Sequence, residues 1–263
     1  MPIRGGSHSR APSPLTKQDL ISALRESVPG RSPLVGFAAA DDPLFRENKR
    51  VVSPAHALPE DLLPGARTVV AFFIPLPRAV VRSNVPGKAA SREWALAYIE
   101  TNALIRDAAL RLKRVLEAEG HAAAVTPATH NFDPETLVSD WSHRHAAFIA
   151  GLGRFGLNNM LITDSGCCGR LGSLVTSLEL PPDPRPGREA CLFRHDGSCQ
   201  RCAARCVGDA LSAERFDRKR CYAVCLHNEE RHRELGKADV CGKCLAGVPC
   251  SFVDPVRAAS RET

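Results

Sequence analysis

Apolar positions along this chain fall into two kinds of run. From Leu15 to Val28 they recur at helical spacing and stop before Pro29-Gly30, which predicts a first helix. Pro33 to Ala40 and Thr68 to Leu76 are short continuous apolar runs, the second carrying Val69, Val70, Phe72, Phe73 and Ile74. Both predict buried strands, with Thr68 to Leu76 in mid-sheet. The polar, proline-marked stretch from Asp41 to Pro64 between them is expected to be a connection. Ser91 to Glu119 predicts a long helix: Ser91 can cap it, Leu96, Ile99, Ala103, Leu110, Val115 and Leu116 form its expected apolar stripe, and Gly120 closes it. Ala122 to Thr126 is a short strand beside the earlier ones, Thr136 to Ile149 a helix, and Gly172 to Leu180 a last strand.

The run Pro181-Pro182-Asp183-Pro184-Arg185-Pro186 then interrupts all periodicity and marks a boundary. The expected organisation is a disordered tail over residues 1–14, an α+β domain over 15–182, a cysteine-rich domain over 183–255 and a short tail over 256–263. With 44% apolar and 24% charged residues the composition is that of an ordinary globular protein, and no apolar run approaches the length of a membrane span. Arg215, Arg218, Lys219 and Arg220 concentrate part of the net charge of +6. With few aromatics interleaved they read as a solvated face, and nucleic-acid contact is only a secondary reading.

Chemistry enters with the cysteines, nine of whose eleven fall between residues 191 and 250. Cys199-x2-Cys202-x3-Cys206 and Cys241-x2-Cys244-x5-Cys250, with Cys191, Cys221 and Cys225, have the spacing of two iron-sulfur clusters in one module. Cys199, Cys202, Cys241 and Cys244 alone would also satisfy a zinc site, but zinc would leave Cys191, Cys206, Cys221 and Cys250 without a role. No charged-then-apolar segment opens the chain, so a reducing cytoplasm is expected, where disulfides are rare. In bacterial ferredoxins the fourth cysteine of C-x2-C-x2-C-x3-C serves the other cluster. The same crossing assigns Cys191, Cys199, Cys202 and Cys250 to cluster one and Cys206, Cys221, Cys241 and Cys244 to cluster two. Asp196, which stands where the first cysteine of that motif would be, is the alternative to Cys191, and Cys225 the alternative to Cys221. Cys167 and Cys168 lie outside the module, as a reactive thiol or as small packing residues.

Before the boundary, the residue types that carry chemistry gather around Asp133, Asp140, Trp141, His143, Arg144 and His145, followed by Gly151, Gly153 and Gly156. The glycines match a dinucleotide fingerprint by letter, but they follow a helix instead of a strand, which removes the Rossmann context. Asp140 is the preferred acid, His143 a candidate proton donor and Arg144 a candidate anion binder. The competing reading of each is a cap, a satisfied structural histidine or a surface charge.

Leu62-Leu63-Pro64-Gly65-Ala66-Arg67-Thr68-Val69-Val70, Ala150-Gly151-Leu152-Gly153 with Phe155-Gly156, Gly172-Ser173-Leu174-Val175-Thr176-Ser177-Leu178-Glu179-Leu180 and the cysteine module occur in the order found in a known family. Over about residues 50–253 the chain resembles the epoxyqueuosine reductases and their relatives, the cobalamin-dependent reductive dehalogenases, as a divergent, short member. The resemblance implies a nitroreductase-like mixed sheet with helices, followed by a ferredoxin-like module holding two [4Fe-4S] clusters. It also implies base-off cobalamin, with Gly151, Gly153, Phe155, Gly156, Gly172 and Ser173 as the residues that would line it. The implied activity is an oxidoreductase drawing electrons from a donor such as ferredoxin or flavodoxin and acting on a small molecule or a modified nucleoside. The alternative is an electron carrier that reduces a partner, for example a corrinoid protein, and has no substrate of its own.

Overall fold

The computed structural model describes residues 14–260; expectations for residues 1–13 and 261–263 lie outside it. Its elements run α1 (Lys17–Ser27), β1 (Leu34–Ala39), α2 (Pro43–Val51), α3 (Pro59–Leu62), β2 (Thr68–Pro75), α4 (Arg78–Ser83), α5 (Arg92–Ala118), β3 (Ala123–Val125), α6 (His143–Ile149), β4 (Gly153–Phe155), β5 (Leu161–Thr163), β6 (Gly169–Thr176), α7 (Leu192–Asp196), α8 (Arg201–Ala204), α9 (Arg218–Arg231) and α10 (Pro255–Ala259). The class is α+β, and no helix among the described residues is long and apolar enough to cross a membrane.

Four strands form the main sheet in the order β1-β2-β6-β3. The apolar run of β2 earns its mid-sheet place: every residue from Thr68 to Ile74 is buried. All neighbouring pairs are antiparallel, which corrects the expected mixed sheet. The reason is topological. β2 and β3, joined by the α5 crossover, do run the same way, but β6 arrives late in the chain and inserts between them, Thr68 opposite Thr176 and Val125 opposite Leu174. β3 therefore pairs with β6 and not with the earlier strands.

α5 starts where expected, with the Ser91 hydroxyl accepting from the Trp94 amide at 3.1 Å. Its buried face matches the expected stripe only at its end, where Leu116 is buried and Val115 packs on the core: Trp94, Ala97, Tyr98, Thr101, Ile105, Ala108, Ala109 and Leu112 also pack inward, whereas Leu96 and Leu110 are exposed. That face mixes the small Ala97, Ala108 and Ala109 with the large Trp94, Tyr98, Ile105 and Leu112. Three further expectations move. The helix over Thr136–Ile149 shrinks to α6, capped by the Ser142 hydroxyl. The last strand begins at Gly169 and ends at Thr176, and the supposed tail from residue 256 contains most of α10, which Asp254 caps, Pro255 opens and Val256 anchors in the core.

Across the proline-rich stretch the core is continuous. Leu76, Val81, Trp94, Ala97, Leu157 and Ile162 pack in one cluster with Cys191, Cys202, Leu211, Leu245 and Val248. In the other main cluster, Gly172 sits where α5 crosses the sheet: a Cβ there would lie 2.4 Å from the Phe72 ring and 2.7 Å from Ile105. Gly172→Ala is expected to cost about 1–3 kcal/mol through this overpacking. Urea denaturation checks it, and unchanged stability would contradict the packing role.

Candidate active site and cluster sites

Segment 239–245 returns from the cysteine-rich half and lies against the residues around the start of α5. Gly242, at φ +69°, makes this possible, since a Cβ there would lie 2.2 Å from the Trp94 indole. Two buried asparagines fix the register. Asn84 donates to the Cys241 carbonyl at 2.9 Å and accepts from the Ser91 amide at 3.0 Å; Asn228 accepts from the Ala90 amide and donates to the Val240 carbonyl, both at 3.0 Å. The Lys243 ammonium, buried, donates to the carbonyls of Asn84 at 2.9 Å and Pro86 at 2.7 Å. Backbone carbonyls thus satisfy a buried cation without an acid.

Between this seam, β6 and α9 lies a cavity of about 400 Å³. Trp94, Tyr98, Phe132, Phe216 and Tyr222 give it aromatic walls, and Arg144, Arg170, Arg218 and Asp239 bring charge to it. Asp239 is the hub of a network: its carboxylate accepts from the Tyr98 hydroxyl at 2.7 Å and pairs with the His130 ring at 3.0 Å. Arg170 stacks over the Tyr98 ring, 4.2 Å from its centroid. Burial pushes the Tyr98 phenol up to about 12, the Arg170 cation pulling only partly against it.

The thiols gather in two sets. Cys191, Cys199, Cys202 and Cys250 line one small cavity, together with Gly156. Cys206, Cys221, Cys225, Cys241 and Cys244 line the large one. Asp196 is exposed, lines neither, and accepts from the Ser198 amide at 2.9 Å. Burial first, then Cys250, Cys191 and Cys199, push the Cys202 thiol up to about 12; burial and then Cys221, Cys241, Cys202 and Cys206 push Cys244 up. Left alone these thiols stay protonated, and a multivalent cation among them would let them ionise together. Among the described residues no three His, Cys, Asp or Glu side chains converge on a point as one metal ion requires. An all-sulfur set spread around a cavity suits a multi-iron cluster. Each set has a spare: the Cys167 sulfur lies 3.8 Å from that of Cys250, and the Cys225 thiol beside Cys221 favours the Cys221 thiolate. Cys168, also buried, donates to the Leu245 carbonyl at 3.2 Å.

The other expected site residues fall elsewhere, Arg144 excepted. Asp140 is exposed and lines neither the large cavity nor its neighbour, because the chain there turns outward and only its carbonyl is engaged, accepting from the Ala57 amide at 2.7 Å. His143 is buried and spent: Trp141 Nε1 donates to Ser173 Oγ at 2.9 Å, Ser173 bonds His143 Nδ1 at 2.8 Å, and Nε2 meets the Pro127 carbonyl, also at 2.8 Å. Since that carbonyl can only accept, the proton sits on Nε2. Ser173 is thereby spent as well, and Phe155 packs on the rings of His145 and Phe148. The chain itself backs the glycines. A Cβ would meet the Pro184 carbonyl oxygen at 2.6 Å from Gly151, the Ile162 carbonyl oxygen at 2.1 Å from Gly153, and Asn158 Oδ1 at 2.8 Å from Gly156. These glycines form no open cradle for a macrocycle. Arg144 does reach the large cavity, and a neighbouring one of about 280 Å³ with it. Asp239, His130 and Arg170 were not foreseen. Only Asp239, an acid between Ala238 and Val240 beside Cys241, carried a local signal.

No protein-family model matches this chain, and no curated relative matches it. Solved structures do. The epoxyqueuosine reductase of Streptococcus thermophilus aligns with TM-score 0.61 and 20% identity over 91% of this chain and 69% of its own. That of Bacillus subtilis, in a form with its catalytic loop swung out of the active site, gives 0.60 and 20% over 89% of this chain and 65% of its own. A catabolic reductive dehalogenase gives 0.57 and 16% over 86% of this chain and 31% of its own. The chain thus spans about two thirds of the length of these reductases, and the likeness is one of fold.

Burial holds His56, His143 and His145 below the usual imidazole range, His145 at about 4. The unfolded chain then binds more protons than the folded one below about 6.5, so stability is full above that pH and is lost as pH falls toward about 4. His145→Asn is expected to lose less melting temperature between pH 7 and pH 5 than the parent; an equal loss would show that His145 plays no part.

Proposed function

We propose that this chain is an iron-sulfur oxidoreductase that passes electrons through two [4Fe-4S] clusters to a substrate held in the large cavity. The observation that carries the reading is that one thiol set opens directly into a cavity that Tyr98 and Asp239 also line, with His130 pairing with Asp239 from the neighbouring cavity. Cys191, Cys199, Cys202 and Cys250 would hold the first cluster, and Cys206, Cys221, Cys241 and Cys244 the second, with Cys225 as reserve. The clusters, when bound, supply one-electron storage and transfer. The rest is the work of the chain. Tyr98 stays protonated at neutral pH and can give a proton at its hydroxyl oxygen; Asp239 accepts from it, and His130, with 27% of its side chain exposed, connects that carboxylate to solvent. Tyr98 takes the place expected of Asp140, and His143 serves to position Trp141 and Ser173.

Support for a reductase comes from the fold shared with epoxyqueuosine reductases, one of which was solved with an epoxyqueuosine-modified tRNA stem loop. The substrate class of a small molecule or modified nucleoside and an external donor such as ferredoxin or flavodoxin belong to this proposal. A cavity built beside the thiols disfavours a pure electron carrier, which needs none. The corrinoid of the resemblance finds no cradle, and no step is assigned to it.

Anaerobic reconstitution is expected to give about eight irons and eight sulfides per chain. Cys202→Ser should lose iron from one cluster only, keeping at least about four, and Cys225→Ser should keep about eight. Stoichiometric zinc in place of iron would overturn the reading, and a shifted spectrum on titration with a base-off corrinoid would restore the corrinoid route.

A further inference from the structure

The large cavity and its neighbour differ in character and meet at Thr129, Arg144, Met160, Gly169 and Arg170, which line both. On one side the walls are aromatic; on the other they are polar, with His130, Asn131, Ser139 and Ser142. Two guanidinium groups therefore stand where an apolar compartment joins a polar one. Asp239, the single carboxylate among the lining residues, is already engaged by Tyr98 and His130. Arg170 Nε is buried with no hydrogen-bond partner, a donor left over in a place where such donors are almost always satisfied. Arg144 uses one nitrogen on the Asn159 carbonyl at 2.7 Å and lines the large cavity together with Cys221, so part of its charge answers to the cluster expected there. The side chain of Arg170 has no thiol among its electrostatic partners, which are Tyr98 and Asp239.

Resting on the reading of this cavity as the place of reduction, we propose that its ligand is a small flat ring bearing an anionic group, the ring between the aromatic walls and the anion on Arg170 and Arg144 at the junction. Planar guanidinium donors match the oxygens of a carboxylate or a phosphate; Arg170 is part-buried and Arg144 exposed, so Arg170 is the more enclosed of the two. Carboxylate and phosphate share this chemistry, and the test separates them.

Calorimetric titrations of the anaerobically reconstituted protein with benzoate, phenyl phosphate, benzyl alcohol and inorganic phosphate make that test. At least one of the two aromatic anions is expected to bind, at least tenfold more tightly than benzyl alcohol and than inorganic phosphate. Arg170→Gln should abolish this preference, Arg170→Lys should retain it at lower affinity, and Lys219→Gln, at an exposed residue outside the cavity, should leave it unchanged. Equal binding of benzyl alcohol, equal binding of inorganic phosphate, an unaltered preference in Arg170→Gln or no binding of either aromatic anion would each overturn the proposal. Iron and sulfide counted on the same samples separate the two readings. Full clusters without anion selectivity sink this inference alone; anion selectivity in a chain that takes up no iron sinks the redox reading alone.

Discussion

Everything functional in this molecule depends on the seam where residues 239–245 lie against residues 84–98. A buried lysine without an acid is tolerated there because two carbonyls, of Asn84 and Pro86, face it, and they face it because Asn84 is itself tied to Cys241 and Ser91. Gly242 flat on Trp94 sets the depth of the contact. Losing one partner here would strand a charge or an amide out of water, a cost of several kcal/mol that leaves the arrangement little freedom. Hence Cys241 and Cys244, carried on the returning segment, come to face Cys206 and Cys221, and Asp239 comes to face Tyr98.

The same seam brings unlike chemistry to one cavity. Five thiols, a protonated phenol and its carboxylate line it together, and two arginines stand where it meets its polar neighbour. A ligand there is within reach of both the thiol set and the proton-bearing phenol. Burial tunes these groups: it keeps the phenol protonated and pushes the Cys202 and Cys244 thiols up.

What could be read from the chain follows how local each signal is. The strand expected over Thr68 to Leu76 and the Ser91 cap rest on short spacings, and the structure places them within a residue or two of expectation. Most of the inward face of α5 could not be read that way, because it includes alanines and Thr101 that no apolar periodicity singles out. Nor could the role of the glycines: Gly151, Gly153 and Gly156 form a motif by letter, while what stands behind each of them, Pro184, Ile162 or Asn158, is a matter of tertiary contact. Arg170, His130 and Asp239 lie far apart in sequence, and only the fold brings them to one wall. The insertion of β6 between β2 and β3 was hidden for the same reason.

The central claim is that one compact thiol framework, closed by this seam, holds two neighbouring iron-sulfur clusters. Electron paramagnetic resonance of the reconstituted, fully reduced protein tests it most directly. The account predicts two reduced [4Fe-4S] centres whose signals broaden each other through magnetic coupling. A single isolated centre, or two that ignore each other, would contradict it.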